Sequence, residues 1–232
     1  MSFAIFDTYA DRYDRWFEKN KVIAENELRL LRRFIRSKPV LEIGVGTGFF
    51  ASKLGVDVGI DPSISMLSKA RRRGLDVVQG FGERLPFRSR CFSTVLLVTT
   101  LCFLEEPETV LRESVRVLRS GGGIVVCIVP RDSSWGKHYA ELGKRGHVFY
   151  SIARFYTVAE IDAMLGSLGL RRSRALGVLR FKPWEKPVPE EPVEWIEGLD
   201  LGFVCLEYSL DLGSTNNFGE YSYQQYESRY NE

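Results

Sequence analysis

The chain has 232 residues, with 44% hydrophobic and 27% charged side chains and a formal net charge of +2. That length suits one domain with trimmings, and a chain this size buries roughly 70% of the surface it exposes when unfolded, so its core needs no disulfide or metal. The composition excludes wholesale disorder and a fibrous repeat, and the longest nearly apolar run, Thr94 to Leu104, falls short of the ~20 residues of a membrane-spanning helix.

In chain order, Tyr9, Tyr13 and Trp16 recur at i, i+4 and i+7, which places them on one helical face. Residues 22–36 read as a second helix, with Ile23, Leu30, Leu31 and Phe34 on one side and Arg29, Arg32, Arg33 and Arg36 mostly on the other. Pro39 to Ile43 is a buried strand that runs into a glycine loop, and Val56 to Ile60 is a second strand that ends at Asp61. Ser63 then caps a helix that ends in Arg71-Arg72-Arg73, where the helix dipole is negative, with Gly74 beyond it. Leu75 to Gln79 and Phe92 to Val98 are the third and fourth strands. A helix spans Pro107 to Leu118, Gly121-Gly122-Gly123 ends it, and Gly123 to Val129 is the fifth strand. Thr157-x-x-Glu160 is a capping box that opens a helix to Leu168. Gly177 to Phe181 and Phe203 to Leu210 are further strands, separated by a proline-rich stretch that fits neither helix nor central strand. Strand–helix alternation over the first 130 residues predicts a parallel, doubly wound α/β sheet, in which ligands bind outside the carboxyl ends of the strands.

Cys91, Cys102, Cys127 and Cys205 form no C-x-x-C pair, and three of them sit in or beside apolar strand-like runs, where a reduced cysteine behaves as a small hydrophobe. The only histidines are His138 and His147, so the ligand spacing of a metal site is missing and none is expected. The N-terminus carries acids in its first turns and no cleavable apolar segment, which predicts a cytoplasmic chain without a signal peptide or membrane partner. Charge is uneven. Residues 183–232 hold two basic residues against eleven acids, a net −9, which leaves residues 1–182 with 30 basic against 19 acidic residues and a net +11. A basic body of that kind meets an anionic substrate or RNA, or presents basic solvated helix faces partly neutralised by the acidic segment. The scattering of the basic residues at helix spacings and helix ends favours the second reading.

The loop Glu42-Ile43-Gly44-Val45-Gly46-Thr47-Gly48 lets the backbone turn tightly against a ligand. A dinucleotide fingerprint would need glycine where Phe49 stands. Glu42 closes the first strand and Asp61 the second, and two carboxylates beside the loop suit a cationic ligand with a ribose diol better than a diphosphate.

With GERLPF at residues 82–87 and Phe103 after the fourth strand, these motifs resemble class I S-adenosylmethionine-dependent methyltransferases over roughly residues 5–182, closest to the methyltransferase type 11 group, a small-molecule branch that includes the ubiquinone/menaquinone-type enzymes. The resemblance implies a Rossmann-like sheet of seven strands, mostly parallel with an antiparallel last strand, helices on both faces, and Phe203 to Leu210 inserted beside strand five. It implies a helical lid over residues 1–36, a methyltransferase domain over 37–212 and a polar, tyrosine-rich tail over 213–232. It implies S-adenosylmethionine as cofactor and S-adenosylhomocysteine as product, with Asp61 on the ribose hydroxyls and Glu42 near the methionine amino group. Gly44, Gly46 and Gly48 then lie under methionine and ribose, Pro62 and Met66 form part of the adenine slot, and Phe81, Gly82 and Glu83 border the adenine edge. Phe81 departs from the small or acidic residue of many relatives, so it stacks on the ring or simply packs. Tyr9, Tyr13 and Trp16 either face the cofactor from the lid or dock their helix.

The acceptor is expected near Thr99-Thr100-Leu101-Cys102-Phe103, with Thr99, Tyr13 and His147 as the candidate catalytic residues and His147 as a base. Pro130 to Trp135 is another candidate wall. Cys102 is a buried thiol or a reactive one. No Asn/Asp-Pro-Pro-Tyr motif or Pro-Cys pair is present there, which disfavours a nucleic-acid substrate. The activity expected is methyl transfer to a small-molecule acceptor by in-line displacement, in a monomer or homodimer. The alternatives are an RNA or protein methyltransferase, a cofactor-binding module without turnover and, more distantly, a nicotinamide dehydrogenase.

Overall fold

A computed structural model describes residues 3–210. Three helices open the chain: α1 (Phe3–Thr8), α2 (Ala10–Lys19) and α3 (Lys21–Leu31). The helix expected over 22–36 stops at Leu31, and residues 32–34 form a turn. Next come β1 (Val40–Ile43), α4 (Ala51–Leu54), β2 (Val58–Asp61), α5 (Ile64–Arg72), β3 (Val77–Gln79), β4 (Phe92–Val98) and α6 (Pro107–Val117). The chain closes with β5 (Leu118–Ile128), α7 (Ser134–Lys144), α8 (Val158–Gly166), β6 (Leu170–Val178), β7 (Val193–Glu194) and β8 (Phe203–Leu210).

The strands form one sheet in the order β3-β2-β1-β4-β5-β8-β6-β7. Strands β1 to β5 pair in parallel, and β8 inserts antiparallel between β5 and β6. The antiparallel strand beside strand five is therefore where it was expected, but the sheet has eight strands rather than seven. The additional one is the two-residue edge strand β7, which the proline-rich segment lays against β6. An edge is where such a segment can pair, because proline cannot donate to a central ladder.

Helices cover both faces, so the central strands are buried on both sides and read as continuous apolar runs. Leu97 and Val126 face the core shared with Ile161 and Leu165 of α8, while Leu96 and Val125 face the core shared with Leu30 and Leu31 of α3. The glycine triplet does not end a helix. Strand β5 follows α6 directly, and Gly121 sits at φ 74° inside an irregularity where the register with β4 slips. Helix α7 lies in a stretch that carried no helical expectation, and β6 begins seven residues before the strand expected at Gly177.

Two of the cysteines are not reduced. Cys127 of β5 and Cys205 of β8 face each other in register and form a disulfide. Cys91 and Cys102 are free. Basic residues of the body meet the acidic segment directly: Arg29 of α3 and Arg33 just beyond it pair with Glu191, Arg174 of β6 with Glu207, and Lys182 with Asp200. Asn26 of α3 accepts from Glu190 N at 2.9 Å, while the buried Glu190 carboxylate accepts from Leu179 N at 2.8 Å. The proline-rich segment is thereby tied to α3 and to the end of β6. The expected tail over 213–232 lies outside the described residues.

Candidate active site

Strands β1, β2 and β4 end side by side, and the loops that leave them surround a cavity of about 370 Å³. Gly44, Gly46, Asp61, Pro62, Met66, Phe81, Gly82, Glu83 and Thr99 line it, as do Phe3 and Phe6 of α1 and Tyr13 of α2. Gly46 occupies φ 54°, and a Cβ built on it would meet nothing closer than a Tyr13 ring carbon at 4.0 Å, so the loop backbone fronts open space there. Asp61 is braced by the loops on both sides: one oxygen accepts from Gly46 N and the other from Ser63 N, each at 2.9 Å. Burial lifts its carboxyl to about 6 in spite of those two bonds. Ser63 also caps α5, accepting from Met66 N, which fixes Met66 beneath the cavity.

Four of the residues expected at the cofactor do not line this cavity. Glu42 is buried, with one carboxylate oxygen lacking any hydrogen-bond partner. Burial, and then the charge of Asp61, raise it to about 8. Gly48 does not reach the cavity. It sits at φ 72°, and a Cβ there would come 2.4 Å from Leu75 and 3.0 Å from Ala70, so glycine lets the loop pack on α5. Tyr9 precedes α2, stands 40% exposed and rests edge-on against Phe149. Trp16 lines a different cavity. Phe81 lies at the first cavity with 49% exposure, edge-on to Phe3 at 5.6 Å. Phe49, which breaks the dinucleotide fingerprint, stacks flat on Phe17 of α2 at 4.1 Å and so holds α2 on the glycine loop.

The second cavity, of about 160 Å³, shares Tyr13, Thr99 and Phe103 with the first. It brings together all three candidate catalytic residues, Tyr13, Thr99 and His147. Thr99 has φ 50°, a costly backbone setting for a β-branched residue, held by a hydrogen bond from its N–H to Cys127 O at 2.8 Å. His147 stacks on Tyr150 with ring centres 4.4 Å apart. Partial burial, and then Arg12, lower its pKa, so the ring is neutral near pH 7 and able to accept a proton. Cys102 lines the same cavity as a neutral thiol that donates to Thr99 O, and burial pushes it up to about 12. That removes the thiolate a reactive cysteine needs. His138 and the segment Pro130 to Trp135 line neither cavity. The sequence did not single out Tyr139 of α7, Phe155 or Glu27 of α3, although Glu27 carries a readable signal. It falls between Ile23 and Leu31 on the apolar face of its helix. Among the described residues, no cluster of three His, Cys, Asp or Glu side chains suits a metal ion. No described helix is long and apolar enough to cross a membrane.

Comparison with known proteins places these features in a family. The model of the Methyltransferase domain matches residues 41–126. A Thermotoga maritima crystal structure, described as a SAM-dependent methyltransferase and possible histamine N-methyltransferase, superposes with a TM-score of 0.85 at 32% identity, covering 90% of this chain and 99% of that one. An uncharacterized Methanocaldococcus jannaschii protein is 39% identical over 203 residues, 87% of this chain and 97% of its own. An uncharacterized Mycobacterium tuberculosis protein is 45% identical over 166 residues, 70% of this chain and 58% of its own length. The chain belongs to the S-adenosylmethionine-dependent methyltransferases, and S-adenosylmethionine is its cofactor. The residues present fit that group. The Asp61 carboxylate at the cavity wall and a backbone loop without side-chain obstruction at Gly46 suit a ligand with a ribose diol, and Glu42, at the end of β1 beside that loop, keeps one carboxylate oxygen without a partner. When bound, the cofactor supplies an electrophilic methyl group.

Proposed function

We propose that this enzyme methylates a small molecule held in the second cavity, by in-line displacement that works mainly through alignment. The observation that carries this reading is the shared wall. Tyr13, Thr99 and Phe103 front both cavities, so an acceptor in the smaller one lies next to the contents of the larger. Holding the two partners in line contributes as much as ~7–11 kcal/mol to such a reaction, which leaves a base optional. Where the acceptor must shed a proton, neutral His147 takes it. In the same reading Asp61 accepts from the ribose hydroxyls and Glu42 attracts the methionine ammonium. Pro62 and Met66 flank the adenine, with Phe81, Gly82 and Glu83 along its edge. Residues 1–36 act as a lid over the domain spanning 37–212, with Phe3, Phe6 and Tyr13 as its inner surface.

The test is to incubate the protein with methyl-labelled S-adenosylmethionine and separate pools of cellular metabolites, RNA and protein. Label in the metabolite pool is expected, with its yield lowered at least tenfold in Tyr13→Ala. Label confined to RNA or protein, or to none of the pools, overturns the reading.

A further inference from the structure

The second cavity holds an ionisable group that the shared-wall reading leaves unused. Glu27, on the apolar face of α3, is 8% exposed and lines this aromatic chamber. No hydrogen bond or ion pair meets its carboxylate among the described residues, and burial alone raises it to about 8. Its charge acts on the hydroxyls of Tyr13, Tyr139 and Tyr150, which marks these three rings as its neighbours. Tyr139 and Tyr150 stack at 4.3 Å. Tyr156 Oη, also buried in the chamber wall, has no hydrogen-bond partner. Arg12, the guanidinium that lines the cavity, is exposed on α2, and its field is felt at His147.

We propose that the second cavity selects an acceptor bearing a protonated amine, with Glu27 as its counter-ion and the surrounding aromatic rings as its cage. A buried carboxylate without a partner is costly and is relieved by an opposite charge brought to it. Aromatic faces attract the same cation, most strongly where water is excluded. An ammonium also donates hydrogen bonds, and Glu27 and Tyr156 Oη are two acceptors lacking a donor. With its carboxyl lifted to about 8, Glu27 is mostly protonated at pH 7 in the empty cavity; an ammonium draws it into the charged form, whereas a neutral or anionic acceptor leaves it protonated and gains no ion pair. Specificity therefore rests on charge as well as shape, because a site built around one polar partner rejects the analogue that lacks it. The inference deepens the small-molecule reading above and rests on it.

The test uses protein saturated with S-adenosylhomocysteine and two probes of nearly equal shape, 2-phenylethylamine and 2-phenylethanol, titrated by calorimetry at pH 7. The amine is expected to bind at least tenfold more tightly than the alcohol. Glu27→Gln, which keeps the side-chain shape, is expected to abolish that preference and leave S-adenosylhomocysteine affinity unchanged. Equal affinities in the native protein, or a preference that survives Glu27→Gln, overturn the proposal while the small-molecule reading stands. If neither probe binds a protein that does hold S-adenosylhomocysteine, the amine proposal falls, and the labelling experiment above decides the small-molecule reading separately. Should Glu27→Gln fail to fold, the ratio of the two probes on the native protein still decides.

Discussion

The two acids at the strand ends are held differently, and each makes its own prediction. Asp61 lines the first cavity, held by two backbone N–H groups. A hydrogen bond to a charged group is worth about 1.5–3 kcal/mol, so Asp61→Asn should weaken S-adenosylmethionine binding roughly ten- to a hundredfold by calorimetry. Glu42 is lifted to about 8 by burial, so the native state binds a proton that the unfolded chain releases near pH 4.5. The sign follows from linkage: the ligand-free protein loses stability as pH rises from about 4.5 to 8, and Glu42→Gln does not share that loss. The melting temperature of the variant relative to the native protein should therefore rise by at least ~3 °C between pH 5 and pH 8. A constant offset across that range would refute the assignment. These acids were legible because strand ends in a doubly wound sheet are where ligands sit. Glu27 was passed over although an acid on an apolar helix face is a readable signal, because its neighbours Ile23, Leu30 and Leu31 make that face read as core. Gly48 shows a related ambiguity: a glycine required by packing looks the same in sequence as one required by a ligand.

Among the elements, the attachment of the N-terminal helices is the most informative. Asp7 accepts from Ser63 Oγ at 2.7 Å and from Ser65 N at 2.9 Å, at the start of α5. One and two turns further on, Asp11 pairs with Lys69 and Asp14 with Arg73. Spacing of i, i+4 and i+7 puts all three acids on one side of α1 and α2, against the serines and basic residues of α5. Partly exposed ion pairs weaken with salt, so amide exchange over residues 3–19 should quicken between low and 0.5 M salt, and Asp14→Asn should quicken it at low salt. Unchanged exchange would mean that the aromatic contacts alone hold these helices. The capping box on α8 is a second case. Thr157 and Glu160 satisfy each other's backbone N–H groups, and Thr157→Ala should cost about 1 kcal/mol, read as a melting temperature lower by ~2–4 °C. Elements with local signals, such as this cap, Ser63 and the run from Phe92 to Val98, were readable. Helix α7 was not, since Gly136 and Gly143 lie within it and its amphipathic pattern is diluted by Lys137, His138 and Lys144. Gly136 is there because a Cβ would strike Pro130 O, a tertiary requirement invisible in sequence. The glycine triplet misled in the opposite direction, since a bulge in a strand and a helix stop use the same residue.

At the scale of the whole molecule, the sheet is joined across its change of direction. The disulfide between β5 and β8 closes a loop of 78 residues. A loop of that length is worth about 4 kcal/mol, so reduction, or the Cys127→Ser/Cys205→Ser double variant, should lower unfolding free energy by that order in denaturant titrations. An unchanged midpoint would mean the pairing adds nothing. Sequence alone left these cysteines unpaired because they stand far apart in the chain and become partners only through strand insertion. The charge asymmetry resolves at this scale too, with the acidic proline-rich segment bound to Arg29 of α3 and to Arg33 in the turn after it.

One more consequence comes from the placement of α1 and α2. Phe3 and Phe6 wall the larger chamber, Arg12 and Trp16 the smaller, and Tyr13 both. If these helices are the door, there is one door for two rooms. Neither occupant can then leave on a clock of its own. The departure of the spent nucleoside cofactor and of the methylated product become a single timed event, and the swing of that door sets the ceiling on turnover however fast the chemistry behind it runs.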